Sequence, residues 1–233
     1  MEGKEKKYTG VRKLTDNRFL NLYEMDALTD SGRKFNYYFA SRNKEQDLPL
    51  YTGKVPRNGI VIYPVWKKEP DKLVMIRQYR YPLDAWIYEL PAGLIDEGES
   101  PSQAAVREMK EETGLSFEPY EGGEDAFRRP FFLGAGITDE TSTSVFGYAD
   151  GELSGEFMED TESIEVLLVD KKEALRILRE ERISLRAGFL LMSFLKMEKE
   201  NPFLFLDKNS SLSKFYLKNS LHAEHSFSLQ AVF

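Results

Sequence analysis

Between Tyr8 and Ser41 apolar and polar residues alternate in short runs, with Phe19, Leu20, Leu22 and Tyr23 in the first and the aromatic stretch KFNYYFAS in the second. The turn residues Asp30-Ser31-Gly32 separate them, which predicts short antiparallel strands. A polar segment, RNKEQDLPLYTGKVPRNG, then marks a boundary near residue 50. GIVIYPVW and KLVMIRQYRY are β-branched and aromatic runs joined by KKEPD, the pattern of a hairpin. WIYELPAGLI predicts a third strand, stopped by Pro91 and Gly93. A helix follows: Ser100 suits the N-cap, Pro101 the first helical position, Gln103 completes a capping box and Gly114 closes the far end. Ala105 and Met109 form its apolar stripe, with the acids expected elsewhere. Further strands are predicted over 128–133, 142–150 and 163–169.

KKEALRILREERI places Ala174, Leu175, Leu178 and Ile183 at helical spacing, and ISLRAGFLLMSFLKMEK predicts a third, more buried helix. The order strands, helix, strands, helix predicts a mixed α/β (α+β) fold with helices against a sheet. No internal repeat is present. Three segments are expected: an N-terminal β region over 1–50, a main domain over 51–198 and an extension over 199–233. The extension is rich in Ser, Asn, Lys and Phe; SFSLQAVF in it alternates like a strand, and His222 and His225 read as surface residues.

Composition narrows the function. The 233 residues include no cysteine, which removes disulfides and thiolate metal sites and fits a reducing compartment. The start MEGKEKK leads into no apolar run, and no apolar stretch reaches membrane-spanning length. The expectation is a cytoplasmic protein without a membrane partner. A net charge of −7 argues against nucleic acid as a partner. An anionic substrate would need cations or local arginines to receive it.

Glu108, Glu111 and Glu112 stand at i, i+3 and i+4, on one side of the predicted helix. Such acids are ordinarily a solvated face balanced by neighbours such as Arg107 and Lys110. The alternative is a hard divalent cation, which takes oxygen ligands. The wider spacing decides between them: Gly93, five residues, Glu99, seven residues, then Arg107-Glu108-Met109-Lys110-Glu111-Glu112-Thr113-Gly114-Leu115. This resembles the signature of the Nudix hydrolases at all nine defined positions. By average residue frequencies a chance match is on the order of one in a billion per starting point.

The resemblance implies a Nudix fold, a mixed sheet sandwiched by helices, and hydrolysis of a nucleoside diphosphate linked to a second moiety. The flanks are similar to the ADP-ribose pyrophosphatase branch. Gln78-Tyr79-Arg80 leads to Glu89-Leu90-Pro91-Ala92-Gly93, and Pro130 follows Leu115 by fifteen positions. GAGITDET, from Gly134 to Thr141, resembles that branch's Ser-Pro-Gly-x-Thr-Asp-Glu loop, and ESIEVLLVDKKEALRILREERI is typical of it. Residues 55–198 carry the likeness.

By resemblance, Glu108, Glu112 and the Ala92 main-chain carbonyl would hold Mg²⁺, or Mn²⁺ in its place, with Glu111 a supporting ligand or, as in some members, the base. Arg107 would pair with Glu99. Arg80 would grip the substrate diphosphate, Glu89 would be a supporting residue outside direct contact, and Glu140 would be the general base. Gly134-Ala135 replace the usual Ser-Pro, which is expected to loosen that loop. Tyr37, Tyr38 and Phe39 either stack on an adenine or, the favoured reading, belong to the core; Arg42 would lie near the phosphates. The branch implies a nucleoside diphosphate sugar substrate and a homodimer with exchanged N-terminal sheets. The rivals are a Nudix hydrolase for other nucleoside diphosphate derivatives, or a nucleotide-sugar sensor using the tail as its interaction element.

Overall fold

Eight consecutive residues, Gly59–Trp66, are buried without exception, so this strand packs on both faces. It belongs to a computed structural model that describes residues 6–154 and 163–207. In chain order the elements are β1 (Tyr8–Lys13), β2 (Asn21–Leu28), β3 (Lys34–Ser41), the single turn α1 (Pro49–Thr52), β4 (Gly59–Trp66), β5 (Leu73–Arg80), β6 (Ala85–Glu89) and β7 (Ala92–Leu94). Then come α2 (Pro101–Thr113), β8 (Ser116–Pro119), β9 (Phe131–Phe132), β10 (Thr141–Asp150), β11 (Ile164–Val169), α3 (Lys171–Glu180) and α4 (Leu185–Lys196). The chain divides into two compact units: Met1–Gly59 with Pro130–Thr143, and Ile60–Arg129 with Ser144–Phe233.

In the first unit β1, β2 and β3 form an antiparallel sheet in that order. The register sets Tyr23 opposite Phe39 and Met25 opposite Tyr37 on one face. Tyr23 and Phe39 stack with ring centres 5.2 Å apart and pack with Leu48, Val11, Met25 and Leu50. The other face carries charge, with Arg12 2.8 Å from Glu24. β9 pairs with the first residues of β10, Thr141 and Ser142.

In the second unit the sheet order is β11-β5-β4-β10-β8, with β6 on β5 and β7 on β4. Alternation along β4 explains its uniform burial. Val61, Tyr63 and Val65 enter a core closed by Ala174 and Ile177 of α3 and Ala187, Leu191 and Phe194 of α4. Ile60, Ile62 and Trp66 enter the opposite core, closed by Ala104, Ala105 and Met109 of α2. The mixed sheet is therefore sandwiched by helices, as expected.

Several expectations need adjustment. WIYELPAGLI is two strands: Pro91 has no N–H to donate, and the chain passes from β6, paired to β5, to β7, paired to β4. Of 128–133 only Phe131–Phe132 are strand. The third helix is one-sided rather than deeply buried, since Leu185, Phe189 and Met192 of α4 are exposed. Leu175 is likewise exposed, and Ile183 lies beyond the end of α3. Phe203 and Leu206 are buried in the α3–α4 core. SFSLQAVF, His222 and His225 lie outside the described residues. No described helix is long and apolar enough to cross a membrane.

Candidate functional site

The helix α2 begins and ends where its punctuation dictates. The Gln103 N–H donates to Ser100 Oγ (3.3 Å) and the Ser100 N–H to Gln103 Oε1 (2.9 Å), a complete capping box. At the far end Gly114 takes φ = +75°, and its N–H bonds the Lys110 carbonyl at 3.0 Å. With both ends fixed, the angular positions of Arg107, Glu108, Glu111 and Glu112 are fixed too.

Arg107 organises this face. Its Nε and Nη2 donate to the two oxygens of Glu99 at 3.1 and 3.0 Å, and Nη2 also donates to the Leu94 carbonyl at 2.9 Å. Nη1 reaches Glu108 Oε1 at 2.8 Å and Glu111 Oε2 at 2.9 Å. Glu99 in turn accepts the Asp96 N–H at 3.1 Å, so the loop between β7 and α2 is closed from both sides. The bond to Arg107 holds the Glu99 carboxyl below the usual carboxylate range. The bond to Glu99, then those to Glu108 and Glu111, raise the guanidinium above its ordinary value. The expected Arg107–Glu99 pair is present, with a wider reach than expected.

Two acids lean on β7. Glu112 is buried, and its Oε2 accepts the Ala92 N–H at 3.2 Å. The expectation that all the acids point away from the apolar stripe fails for this one. Glu108 fills the space a side chain at position 93 would need: a Cβ on Gly93 would overlap its carboxylate, with Oε2 only 2.5 Å away. That glycine is required by close approach, not by backbone conformation. Carboxylates beside this strand are oxygen donors, the type that Mg²⁺ or Mn²⁺ takes. Among the described residues no three carboxylates or histidines converge on one point. Arg107 Nη1 lies between Glu108 and Glu111.

Arg80, at the end of β5, places Nε 2.6 Å from Glu89 Oε2. Glu89 is buried while Arg80 is half-exposed. Arg80 is therefore not a free surface arginine.

The first unit contains the other candidates. Arg42 Nε donates to Glu140 Oε1 at 2.7 Å, and Tyr37 Oη donates to the Gly136 carbonyl at 2.6 Å. Asp139 Oδ2 accepts from Ser41 Oγ (2.8 Å) and Asn43 Nδ2 (3.0 Å), and the Ala40 N–H bonds the Ile137 carbonyl (2.8 Å). The segment 134–140 is thus laced along β3, and the loss of Ser-Pro does not leave it without ties. Of the three aromatics only Phe39 is core. Tyr37 and Tyr38 are 38% and 52% exposed, so the core reading fails for them. Tyr37, Phe39, Met25, Leu50, Phe132 and Asp139 line a cavity of about 330 Å³. The ties from Ser41, Asn43 and Tyr37 were absent from the sequence reading. They join residues 96 to 99 positions apart, and no local signal announces them.

The segment from Gly93 to Leu115 is thus a loop–helix–loop whose acidic helix is braced by Arg107. The NUDIX domain matches residues 55–187, more than half of the chain, and the chain belongs to that family. Over 105 residues it is 42% identical to Putative nudix hydrolase 2 of Caenorhabditis elegans, covering 42% of this chain and 45% of that protein. Over 147 residues it is 29% identical to the ADP-ribose pyrophosphatase of Bacillus subtilis (strain 168), covering 59% of this chain and 75% of that one. The crystal structure of an ADP compounds hydrolase shares the fold, with a TM-score of 0.59 at 21% identity over 84% of this chain and 97% of that chain. The likeness to the ADP-ribose pyrophosphatase branch read from the flanks is therefore matched by the relatives. The chain spans less than half the length of the nematode relative and three quarters of the bacterial one.

Proposed function

We propose that the chain is a Mg²⁺-dependent pyrophosphohydrolase that cleaves the diphosphate of ADP-ribose or a related nucleoside diphosphate sugar. The products are a nucleoside monophosphate and a sugar phosphate. The observation that carries this reading is the seating of Glu108 against Gly93 and of Glu112 on the Ala92 N–H, with Arg107 bracing Glu99, Glu108 and Glu111. A solvated acidic face would not bury Glu112 or require a glycine opposite Glu108.

Glu108, Glu112 and the Ala92 carbonyl are assigned to hold the cation, with Glu111 supporting them. Mg²⁺, or Mn²⁺ in its place, would be held by these residues and would supply positive charge to the diphosphate and acidity to the attacking water. Arg80 offers its guanidinium edge to phosphate oxygens. Water adds to one phosphorus, the bridging P–O bond breaks, and the leaving phosphate departs with the bonding pair. Glu140 is assigned to take the water's proton, with Glu111 and Glu112 the acids in the helix that share catalytic work. Arg42 and Tyr37 are assigned to the phosphates and the base. Residues 1–50 are assigned to dimerisation, residues 51–198 to hydrolysis, and the setting is a cytoplasmic homodimer without nucleic-acid or membrane partners.

The test is kcat/KM for ADP-ribose, ADP-glucose, GDP-mannose and a nucleoside triphosphate, with Mg²⁺ and with chelator. Highest turnover on a nucleoside diphosphate sugar, abolished by chelator, supports the reading. Preference for the triphosphate overturns the substrate. Tight ADP-ribose binding with no turnover of any compound makes the chain a sensor.

A further inference from the structure

We infer that Glu89 is a positioning residue for substrate binding: it holds Arg80 so that the terminal edge of the guanidinium is presented to the diphosphate. The inference rests on the assignment of Arg80 made above and deepens it. In the antiparallel pair β5–β6, Ile76 stands opposite Glu89, Gln78 opposite Ile87 and Arg80 opposite Ala85. Arg80 and Glu89 are therefore on the same face but four residues apart along the ladder, about 13 Å at the usual rise. For the side chains to meet, Arg80 must run back along its own strand. It does so, and the contact is made by Nε at 2.6 Å.

That choice of nitrogen matters. A guanidinium that pairs through its terminal nitrogens spends the edge that recognises phosphate bidentately. One pinned at Nε keeps that edge free with its direction set. Among the described residues the Arg80 side chain makes this one hydrogen bond, so Nη1 and Nη2 are available. Glu89 is only 5% exposed and its bond to Arg80 is its sole ion pair among the described residues. A buried carboxylate held by one partner ties that partner down more firmly than a surface pair would. With the rotamer fixed before substrate arrives, less conformational entropy is lost on binding.

The experiment is steady-state kinetics on ADP-ribose with Mg²⁺ for wild type, Glu89→Gln, Glu89→Ala, Arg80→Ala and the Glu89→Ala/Arg80→Ala double variant, each checked for folding by thermal melting. Positioning for uniform binding raises KM and spares kcat. The expected result is a KM raised about tenfold in Glu89→Ala, about threefold in Glu89→Gln (which keeps an acceptor for Nε), and kcat within about twofold. The double variant should match Arg80→Ala, because Glu89 acts only through that arginine. If Glu89→Ala does not fold, Glu89→Gln carries the same test on KM. Unchanged KM in the Glu89 variants, or effects that multiply in the double variant, would overturn the inference while leaving Arg80 in place. Unchanged KM in Arg80→Ala would remove the assignment of Arg80 itself, and this inference with it.

Discussion

Replacing Gly93 by alanine separates the proposed cation site from the fold that carries it. The added Cβ would overlap the Glu108 carboxylate, and its distance to Oε2 would be 2.5 Å where ordinary contact begins near 3.4 Å. Oε1 and Cδ would come closer still, so relieving the overlap moves the carboxylate by more than about 1 Å, since the β7 backbone is held in the sheet and the flexible partner is the glutamate. The stability cost should be small, because the end of a side chain can swing; a melting shift of a few degrees, about 1 kcal/mol, is the expectation. The functional cost should be large. A 1 Å misplacement in a catalytic constellation is worth about 100-fold, or roughly 2.7 kcal/mol of barrier. The assay is ADP-ribose hydrolysis across a Mg²⁺ titration beside thermal melting. Loss of about 100-fold in kcat/KM and a higher Mg²⁺ requirement, in a protein that melts nearly as wild type does, is the expected pattern. A variant with wild-type activity at wild-type Mg²⁺ dependence would show that Glu108 does not need its place against Gly93.

Other outcomes follow from the same geometry. Glu112→Gln keeps an amide oxygen for the Ala92 N–H, so it should fold normally yet lose turnover by at least about 100-fold, roughly 2.7 kcal/mol. Gly114→Ala puts a side chain at φ = +75° and within 2.9 Å of the Ser154 main-chain N. It should cost about 2 kcal/mol of stability by denaturant titration, with activity per folded molecule unchanged. Arg107 lowers the pKa of Glu99 in the folded state, so the pair stabilises fully above the unfolded value of about 4.3 and is lost as pH falls through the lower folded value. The melting difference between wild type and Arg107→Ala should be widest near neutrality and shrink as pH drops below about 4; a difference that grew on acidification would contradict the ion pair.

Sequence and structure agree best where signals are local. The capping box at Ser100 and Gln103 and the Gly114 stop are each read within one turn of helix or loop, and each is realised. The β-branched and aromatic run GIVIYPVW likewise predicted the strand β4. What could not be read depends on partners far along the chain. Tyr37 and Phe39 share one face of β3, and Phe39 is core while Tyr37 is not because Leu48 packs against Phe39 on that face. The security of the 134–140 segment depends on Ser41, Asn43 and Tyr37, nearly one hundred residues earlier. Glu112 follows Met109 by three positions and Ala105 by seven, so helical spacing alone sets it on the buried side; only its bond to the Ala92 N–H needed β7 to be seen. The Arg80–Glu89 contact was not legible: a strand over WIYELPAGLI was predicted, but its pairing with β5 and the nitrogen engaged were not.

The central claim is tested most directly by identifying the products formed from ADP-ribose and Mg²⁺ by the wild-type chain and by Glu112→Gln under the same conditions. The account predicts AMP and ribose 5-phosphate in equal amounts from the wild type and neither above background from the variant. Intact ADP-ribose after prolonged incubation with folded wild type, or equal product from both proteins, would contradict it.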